Sequence, residues 1–149
     1  MCGLLLAVAC PAPAAAPLGE SERHTVEVFK RVSPSVVSVA NKALVSEFFG
    51  LQVYEVPQGL GSGFVWDKEG HIISNLHVVK GASSIEVRLK DGTNYLAEVA
   101  GIDPDTDLVV LKIKAPRDRL RPIPVGRSAD LQVGQTAMAI GNPFGFDCS

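Results

Sequence analysis

Hydrophobic and polar positions alternate along much of this chain with the two-residue period of β-strands. Apolar side chains alternate with charged ones from Ile85 to Leu89, and residues 95–102 are again strand-like after the pair Asp91 and Gly92. Strand side chains point alternately to the two faces of a sheet, so this pattern predicts strands with one buried face. Asp-Gly favours the positive φ angles of a tight turn, and the two segments are predicted to form a hairpin.

Other segments of strand length surround this hairpin. Two apolar runs flank a turn at 67–70 and predict another hairpin, and the residues from Leu108 to Ile113 form a nearly continuous apolar strand. The predicted strands are 36–40, 64–66, 72–75, 85–90, 95–102 and 108–113. About six short strands with frequent turns predict an all-β fold that contains one complete small barrel.

Residues 20–32 instead follow the period of an α-helix. Val28 and Val32 are four positions apart, with Phe29 beside them. Positions with this spacing share one face of a helix, so the segment is predicted to turn an apolar stripe inward. Pro34 is predicted to end the helix, because proline lacks the N–H that a further turn would need.

Two connections are longer than simple turns. Residues 41–57 are predicted as a long excursion that carries Phe48 and Phe49, which either form a docking surface or fold back on the body as a satellite cluster. A second, proline-rich connector leads to residues 133–140, which are predicted to begin a new strand pair, and then to a turn at 141–145. A second barrel is therefore predicted to be only begun.

The start of the chain differs in composition from the rest. Residues 1–18 carry no charge and run from an apolar stretch into a segment rich in alanine and proline. The apolar part is too short to span a bilayer, and the small residues suit a signal peptidase, so we expect an export leader cleaved near Ala14 or Ala16. The first basic residue is Arg23, whereas a complete signal has basic residues before its apolar run. A disordered tail is the alternative.

Composition narrows the classes of partner. The 149 residues are 46% hydrophobic and 20% charged, with a formal net charge of -2, so neither a nucleic-acid partner nor an integral membrane protein is expected. The three cysteines are Cys2 and Cys10 in the leader and Cys148 near the end. This arrangement predicts a core without an internal disulfide and excludes a metal held by clustered thiolates.

Three histidines and one aspartate are candidates for chemistry. His24 in the helix and His71 beside a turn have the positions of ordinary solvated histidines. His77 follows an apolar strand on a short turn, and such loops present catalytic groups at the rim of a barrel. Asp107 stands thirty positions later at the head of an apolar strand, where a carboxylate needs a partner. Taken alone, these contexts also fit a solvated histidine and an aspartate that caps a turn.

Five short strings occur in an order and spacing that resemble the HtrA/Deg serine endopeptidases. The likeness is strongest to the chloroplast Deg proteases of the thylakoid lumen, and it covers roughly residues 25–146. The strings are Gly-Ser-Gly-Phe at 61–64, Ser-Asn-Leu-His-Val-Val at 74–79, Asp-Thr-Asp-Leu at 105–108 with 110–113, Leu-Gln-Val-Gly-Gln at 131–135, and Ala-Ile-Gly-Asn-Pro-Phe-Gly at 139–145. The likeness to the chloroplast proteases rests in addition on residues 64–68 and 120–126.

The resemblance implies a trypsin-like (chymotrypsin) double β-barrel, followed by one or more PDZ modules, with a His-Asp-Ser triad. Its first two members match His77 and Asp107, and no metal or organic cofactor is needed. On this basis residues 1–18 are the leader, 19–34 an N-terminal helical segment, 35–125 the first barrel and 126–149 the start of the second.

The third member of the triad is where the sequence departs from the family. The family nucleophile lies in a Gly-Asn-Ser-Gly-Gly string, which also supplies the oxyanion hole, and no such string occurs in these 149 residues. Ser62 resembles a nucleophile only superficially, because in the family its segment leads into a first-barrel strand. Ser149 is terminal and is not expected to hold a reactive geometry. Ser74 replaces the usual threonine and keeps the hydroxyl.

These features predict the N-terminal part of a Deg-type endopeptidase that degrades damaged or unfolded proteins as a trimer-based homo- or hetero-oligomer. The expected compartment is the thylakoid lumen, with the bacterial periplasm as the alternative. The chain by itself is expected not to hydrolyse peptides and to aggregate through exposed apolar residues in 131–144. A non-catalytic assembly or client-binding subunit is the main alternative, and an unrelated ligand-binding barrel is the third.

Overall fold

The computed structural model of the chain describes residues 17–46 and 53–142. Residues 1–16 of the leader with its expected cleavage site, the pair Phe48 and Phe49, all three cysteines and Ser149 lie outside the described residues. Among the described residues, no helix has both the length and the apolar character needed to cross a membrane.

Six antiparallel strands close into a barrel, as the alternating pattern predicted. They are β1 (Val36–Ser46), β2 (Val53–Val65), β3 (His71–Asn75), β4 (Ser84–Arg88), β5 (Asn94–Asp103) and β6 (Leu108–Ile113). Around the barrel their order is β1-β2-β3-β6-β5-β4. Both predicted hairpins are confirmed, since β2 pairs with β3 across the turn at 67–70 and β4 pairs with β5 across Asp91 and Gly92. The fold is mostly β.

Alternate residues of the strands fill the interior of the barrel. On β6, Val109, Leu111 and Ile113 are buried, while the residues between them are only partly covered. A closed barrel needs each strand to contribute one apolar face, which is the reason for the alternation in the sequence. The buried core consists of Val37, Val39, Val65, Ile72, Val79, Ile85, Val87, Leu89, Val109, Leu111, Ile113 and Leu120.

Helix α1 (Glu20–Val32) forms where the sequence predicted it, but its apolar stripe is not part of the core. Its first turn is stabilised by the Glu22 carboxylate, which accepts a hydrogen bond from Gly19 N at 2.8 Å. All thirteen of its residues are described and none is buried; Val28 is half-buried and Phe29 is 39% exposed. The predicted stripe does face the body of the protein, since Val28 and Val32 are both half-buried and line a cavity beside Val36 and Phe64, but it stays outside the core because the closed barrel fills its interior with its own side chains.

The predicted excursion at 41–57 was also wrong over most of its length. β1 continues to Ser46 and β2 begins at Val53, and the two pair from Ser46↔Val53 to Lys42↔Pro57. The register shifts between Asn41 and Lys42, and a bulge there tolerates a proline opposite that an unbroken ladder would not. The two strands form a long hairpin whose arms extend the β1–β2 side of the barrel.

The segment predicted to begin a second barrel contains no strand within its described residues, 131–142. A short 3₁₀ turn, Ser128–Asp130, precedes it. A strand needs a partner for its backbone hydrogen bonds, and the barrel strands pair with one another rather than with this segment, whose Asn142 N donates to a side chain of β2, Ser62 Oγ. Three of its large apolar side chains are exposed, namely Leu131 (66%), Val133 (109%) and Met138 (43%).

We expect these exposed residues to drive self-association of the 149-residue chain. Replacing Leu131 and Val133 together by serine should shift the chain toward the monomer, because it removes exposed apolar surface. Size-exclusion chromatography with light scattering measures this. The matched control is Leu96→Ser, which removes an equally exposed apolar side chain (71%) from β5; an equal gain from the control would contradict the assignment to 131–133.

Candidate active site

His77 lies on the single-turn helix α2 (Leu76–Val79), which follows β3 directly. β3 is held between β2 and β6, so the start of α2 is placed at the rim of the barrel. Val79 of the same turn is buried in the core, which anchors α2 and leaves His77 on its outer side with 69% of its side chain exposed.

Asp107 ends the turn between β5 and β6. Its φ is +54°, a left-handed conformation that aspartate tolerates better than most residues. The turn before it is tied by Asp103, whose carboxylate accepts hydrogen bonds from Asp105 N at 3.1 Å and Thr106 Oγ1 at 2.7 Å. The β3–β6 register pairs Asn75 with Leu108, which brings the end of β3 beside Asp107.

The two predicted residues are in direct contact. His77 Nδ1 lies 2.5 Å from Asp107 Oδ2, and His77 N donates a hydrogen bond to Oδ1 at 2.9 Å. One carboxylate therefore holds both the imidazole and the backbone of the same residue, which restricts rotation of the ring. The Asp107 side chain is 44% exposed, so it is partly solvated rather than buried.

Hydrogen bonding to His77 lowers the pKa of Asp107. The largest contribution is the side-chain hydrogen bond, followed by the one from the His77 backbone N–H. Both favour the charged form because they are donated to the carboxylate. An ionised Asp107 requires the proton of a neutral imidazole to lie on Nδ1, and Nε2 then keeps a free lone pair directed away from Asp107. This arrangement suits a general base.

A second His–Asp pair, which the sequence analysis missed, lies on the turn between β2 and β3. His71 Nδ1 is 2.5 Å from Asp67 Oδ2, and its Nε2 is 3.4 Å from Lys112 Nζ. The same carboxylate accepts hydrogen bonds from the backbone of Glu69 and His71. Because Nε2 faces an ammonium group, this imidazole is not available as a base, and the pair secures a turn. The four-residue spacing of Asp67 and His71 in the sequence was the signal that could have predicted this pair.

The other candidates lie outside this arrangement. His24 is exposed on α1. Ser62 is within β2, opposite Ser38 of β1, and its Oγ accepts a hydrogen bond from Asn142 N at 2.8 Å. Ser74 donates to Ser62 O at 2.8 Å and so ties β3 to β2. Within residues 17–46 and 53–142, no group of three or more His, Cys, Asp or Glu side chains could hold a metal ion.

The sequence analysis also missed Asn75, which contacts Asp107 twice. Its Nδ2 lies 3.2 Å from Asp107 Oδ2 and 3.3 Å from Asp107 O. The residue stands two positions before His77 in the Ser-Asn-Leu-His string, so the string itself was the signal. Its contact with Asp107 depends on pairing between strands that are distant in the chain.

A closed antiparallel barrel with a His–Asp pair at its rim agrees with the class to which the chain belongs, because residues 61–147 match the family model described as "Trypsin-like peptidase domain". Protease Do-like 1, chloroplastic, of Arabidopsis thaliana is 56% identical over 130 residues, which cover 87% of this chain and 30% of the relative. Protease Do-like 8, chloroplastic, of the same plant is 40% identical over 146 residues, covering 89% of this chain and 33% of the relative.

The crystal structure of Deg5 has a similar fold, with a TM-score of 0.70 and 39% identity over 87% of this chain and 60% of that one. The chain belongs to the HtrA/Deg family of trypsin-like serine proteases, as its five strings indicated. It spans 30% and 33% of the length of the two curated relatives.

Proposed function

We propose that this chain supplies the general base, His77, and its orienting carboxylate, Asp107, to an HtrA/Deg serine endopeptidase. The observation that carries the proposal is the contact in which Asp107 occupies His77 Nδ1 and leaves Nε2 free at the barrel rim. Proposed substrates are damaged or unfolded proteins. The proposed compartment is the thylakoid lumen, in line with the chloroplast relatives.

In this mechanism His77 Nε2 takes the proton of a serine hydroxyl as the serine attacks the scissile carbonyl, and returns it to the leaving amine. Asp107 keeps the imidazole in the Nδ1–H form and stabilises the imidazolium that develops. The serine and the oxyanion donors belong to the Gly-Asn-Ser-Gly-Gly string of the family, which these 149 residues do not contain. The 149-residue polypeptide alone is therefore expected to leave peptides intact.

The proposal is tested by restoring the missing groups. The chain is joined to the part of Arabidopsis Protease Do-like 1 that follows the matched segment, and cleavage of unfolded casein is measured. We expect cleavage by this fusion, and a loss of at least about 10⁴-fold in kcat for His77→Ala, because the base is removed. His71→Ala is the matched control and should retain activity. Equal losses in the two variants, or an inactive folded fusion, would contradict the role of His77.

A second candidate function is a non-catalytic subunit that assembles with Deg proteases or holds unfolded clients. The observation in its favour is the exposed apolar segment that includes Leu131, Val133 and Met138. Co-purification of the 149-residue chain with a full-length Deg subunit, without casein cleavage by the chain alone, supports this function. An active fusion remains compatible with it, whereas failure to associate counts against it.

A further inference from the structure

Asn75 occupies the N-cap position of α2 but does not cap it. Asparagine at this position ordinarily accepts a hydrogen bond from an N–H of the first turn. Among the described residues, the Asn75 side chain makes no such bond with α2. Its amide is directed instead to Asp107, across the junction between β3 and β6.

Asp107 takes over the capping role from a different element. Its Oδ1 accepts the hydrogen bond of His77 N at 2.9 Å, and its backbone carbonyl accepts that of Leu76 N at 3.0 Å. Two N–H groups at the start of α2, which a short helix cannot satisfy internally, are therefore bonded to one residue of the β5–β6 turn. The position of α2, and with it His77, depends on how Asp107 is held.

Asn75 is the group that holds Asp107 from the β3 side. One nitrogen, Nδ2, is within hydrogen-bonding distance of both the carboxylate Oδ2 and the main-chain oxygen of Asp107. The main-chain contact lies at the residue with positive φ, where the backbone most needs external support. The side-chain contact meets the same oxygen that faces His77 Nδ1. An amide can donate to both oxygens without adding charge.

We propose that Asn75 is a positioning residue of the active site: its amide fixes the side-chain and backbone conformation of Asp107 in which Oδ2 accepts the hydrogen bond from His77 Nδ1–H. The inference rests on the proposed function, since it explains how the contact between His77 and Asp107 is maintained. Asn75 touches neither substrate nor nucleophile in this role. Without its amide, the carboxylate is free to turn toward solvent.

The first test follows the titration of Asp107 in the 149-residue chain with ¹³C-labelled aspartate. Asn75→Asp places a second carboxylate against Oδ2, so the Asp107 midpoint should rise by at least about one pH unit; Asn75→Ala should raise it by less, since only a donor is lost. Among the described residues, the titratable group bonded to this carboxylate is His77 on α2, and Asp103 and Asp105 are the other carboxylates of its own turn. Asn94→Asp, at the exposed start of β5, adds the same charge and should leave the midpoint unchanged.

The second test is hydrogen exchange measured by mass spectrometry, which is feasible at low protein concentration. Asn75→Ala should speed exchange of the Leu76 and His77 amides by about tenfold, because both donate to Asp107. The amides of Ile85 and Val87 in β4 report whether the barrel is still folded. Faster exchange throughout would assign Asn75 to general stability, and would overturn the inference.

In the serine-bearing fusion, Asn75→Asp should lower kcat at least tenfold with little change in KM, since repulsion between the two carboxylates displaces Asp107 and the base while the substrate contacts are unchanged (about tenfold per 1.4 kcal/mol). If Asn75→Asp leaves the Asp107 midpoint and the kcat of the fusion at the parent values while His77→Ala is inactive, this inference fails and the proposed function stands. If the Asp107 midpoint shifts but the fusion is inactive with His77 intact, the proposed function fails instead.

Discussion

Asp107→Asn is expected to lower kcat of the serine-bearing fusion by about four orders of magnitude while leaving the fold intact. Asparagine has nearly the same shape as aspartate, but its Nδ2 donates where a carboxylate oxygen accepts. Facing His77 Nδ1, that donor favours the tautomer with its proton on Nε2, and the imidazole then cannot accept a proton from serine. The loss comes from the proton on the wrong nitrogen, since the ring keeps its place.

The chain provides a matched control for this exchange. Asp67 contacts His71 Nδ1 at the same distance, 2.5 Å, and in the same atom pairing as Asp107 contacts His77. Asp67→Asn makes the same chemical change in the turn between β2 and β3 and should leave kcat close to that of the parent. Comparable losses from the two substitutions, measured on casein at one pH, would show that the effect is structural and would remove the catalytic assignment of Asp107.

Gly70→Ala should lower the free energy of unfolding by about 2–6 kcal/mol. Gly70 has a φ of +96°, and a Cβ built on it would lie 2.3 Å from the carbonyl oxygen of Ile113. Its own carbonyl accepts the hydrogen bond of Ile113 N at 2.9 Å, so the two backbones cannot separate without breaking the end of the β3–β6 contact. Positive φ and overpacking each cost about 1–3 kcal/mol, against a typical domain stability of about 5–15 kcal/mol.

Gly92→Ala separates these two costs. Gly92 also has a positive φ, +80°, but the nearest atom to its Cβ would be Arg88 Nη2 at 3.5 Å, an ordinary contact with a flexible side chain. Gly92→Ala should therefore lower the free energy of unfolding by the backbone contribution alone, about 1–2 kcal/mol. Urea denaturation followed by the fluorescence of Trp66, the chain's single tryptophan, measures both variants. Equal midpoints would mean that the turn at Gly70 moves away from Ile113 without cost.

Short-range patterns in the sequence predicted most strands of the barrel. The hairpin around Asp91 and Gly92 was predictable because its strands are adjacent in the chain and its turn residues have a specific backbone preference. The same holds for β3, whose apolar and polar residues alternate over a few positions. The extension of β1 to Ser46 was missed, since a bulge at Asn41 interrupts the alternation and the pairing partner lies across a long hairpin.

The site was predictable only in part from residue types. From composition and spacing alone, His77 and Asp107 also fitted solvated and capping roles, and the family strings made the pair stand out. Asp107 does cap α2 through Oδ1 and contacts the imidazole through Oδ2, so the capping interpretation and the proposed catalytic one describe two contacts of a single carboxylate. The pair formed by Asp67 and His71 shows why residue types were insufficient. It joins the same two residue types at the same distance as Asp107 and His77, but Lys112 lies against His71 Nε2 and prevents that imidazole from acting as a base.

The resemblance to the HtrA/Deg proteases marked His77 and Asp107 as the proposed first two members of a triad whose serine string these 149 residues lack. The sequence by itself determined the all-β class, the helix at its start and the family, because these depend on periods and strings a few residues long. Tertiary structure alone decided the tautomer that Asp107 imposes on His77, the contact of Asn75 and the exposure of α1. Those features depend on the β3–β6 register, which joins residues about thirty positions apart through backbone pairing that no local pattern encodes.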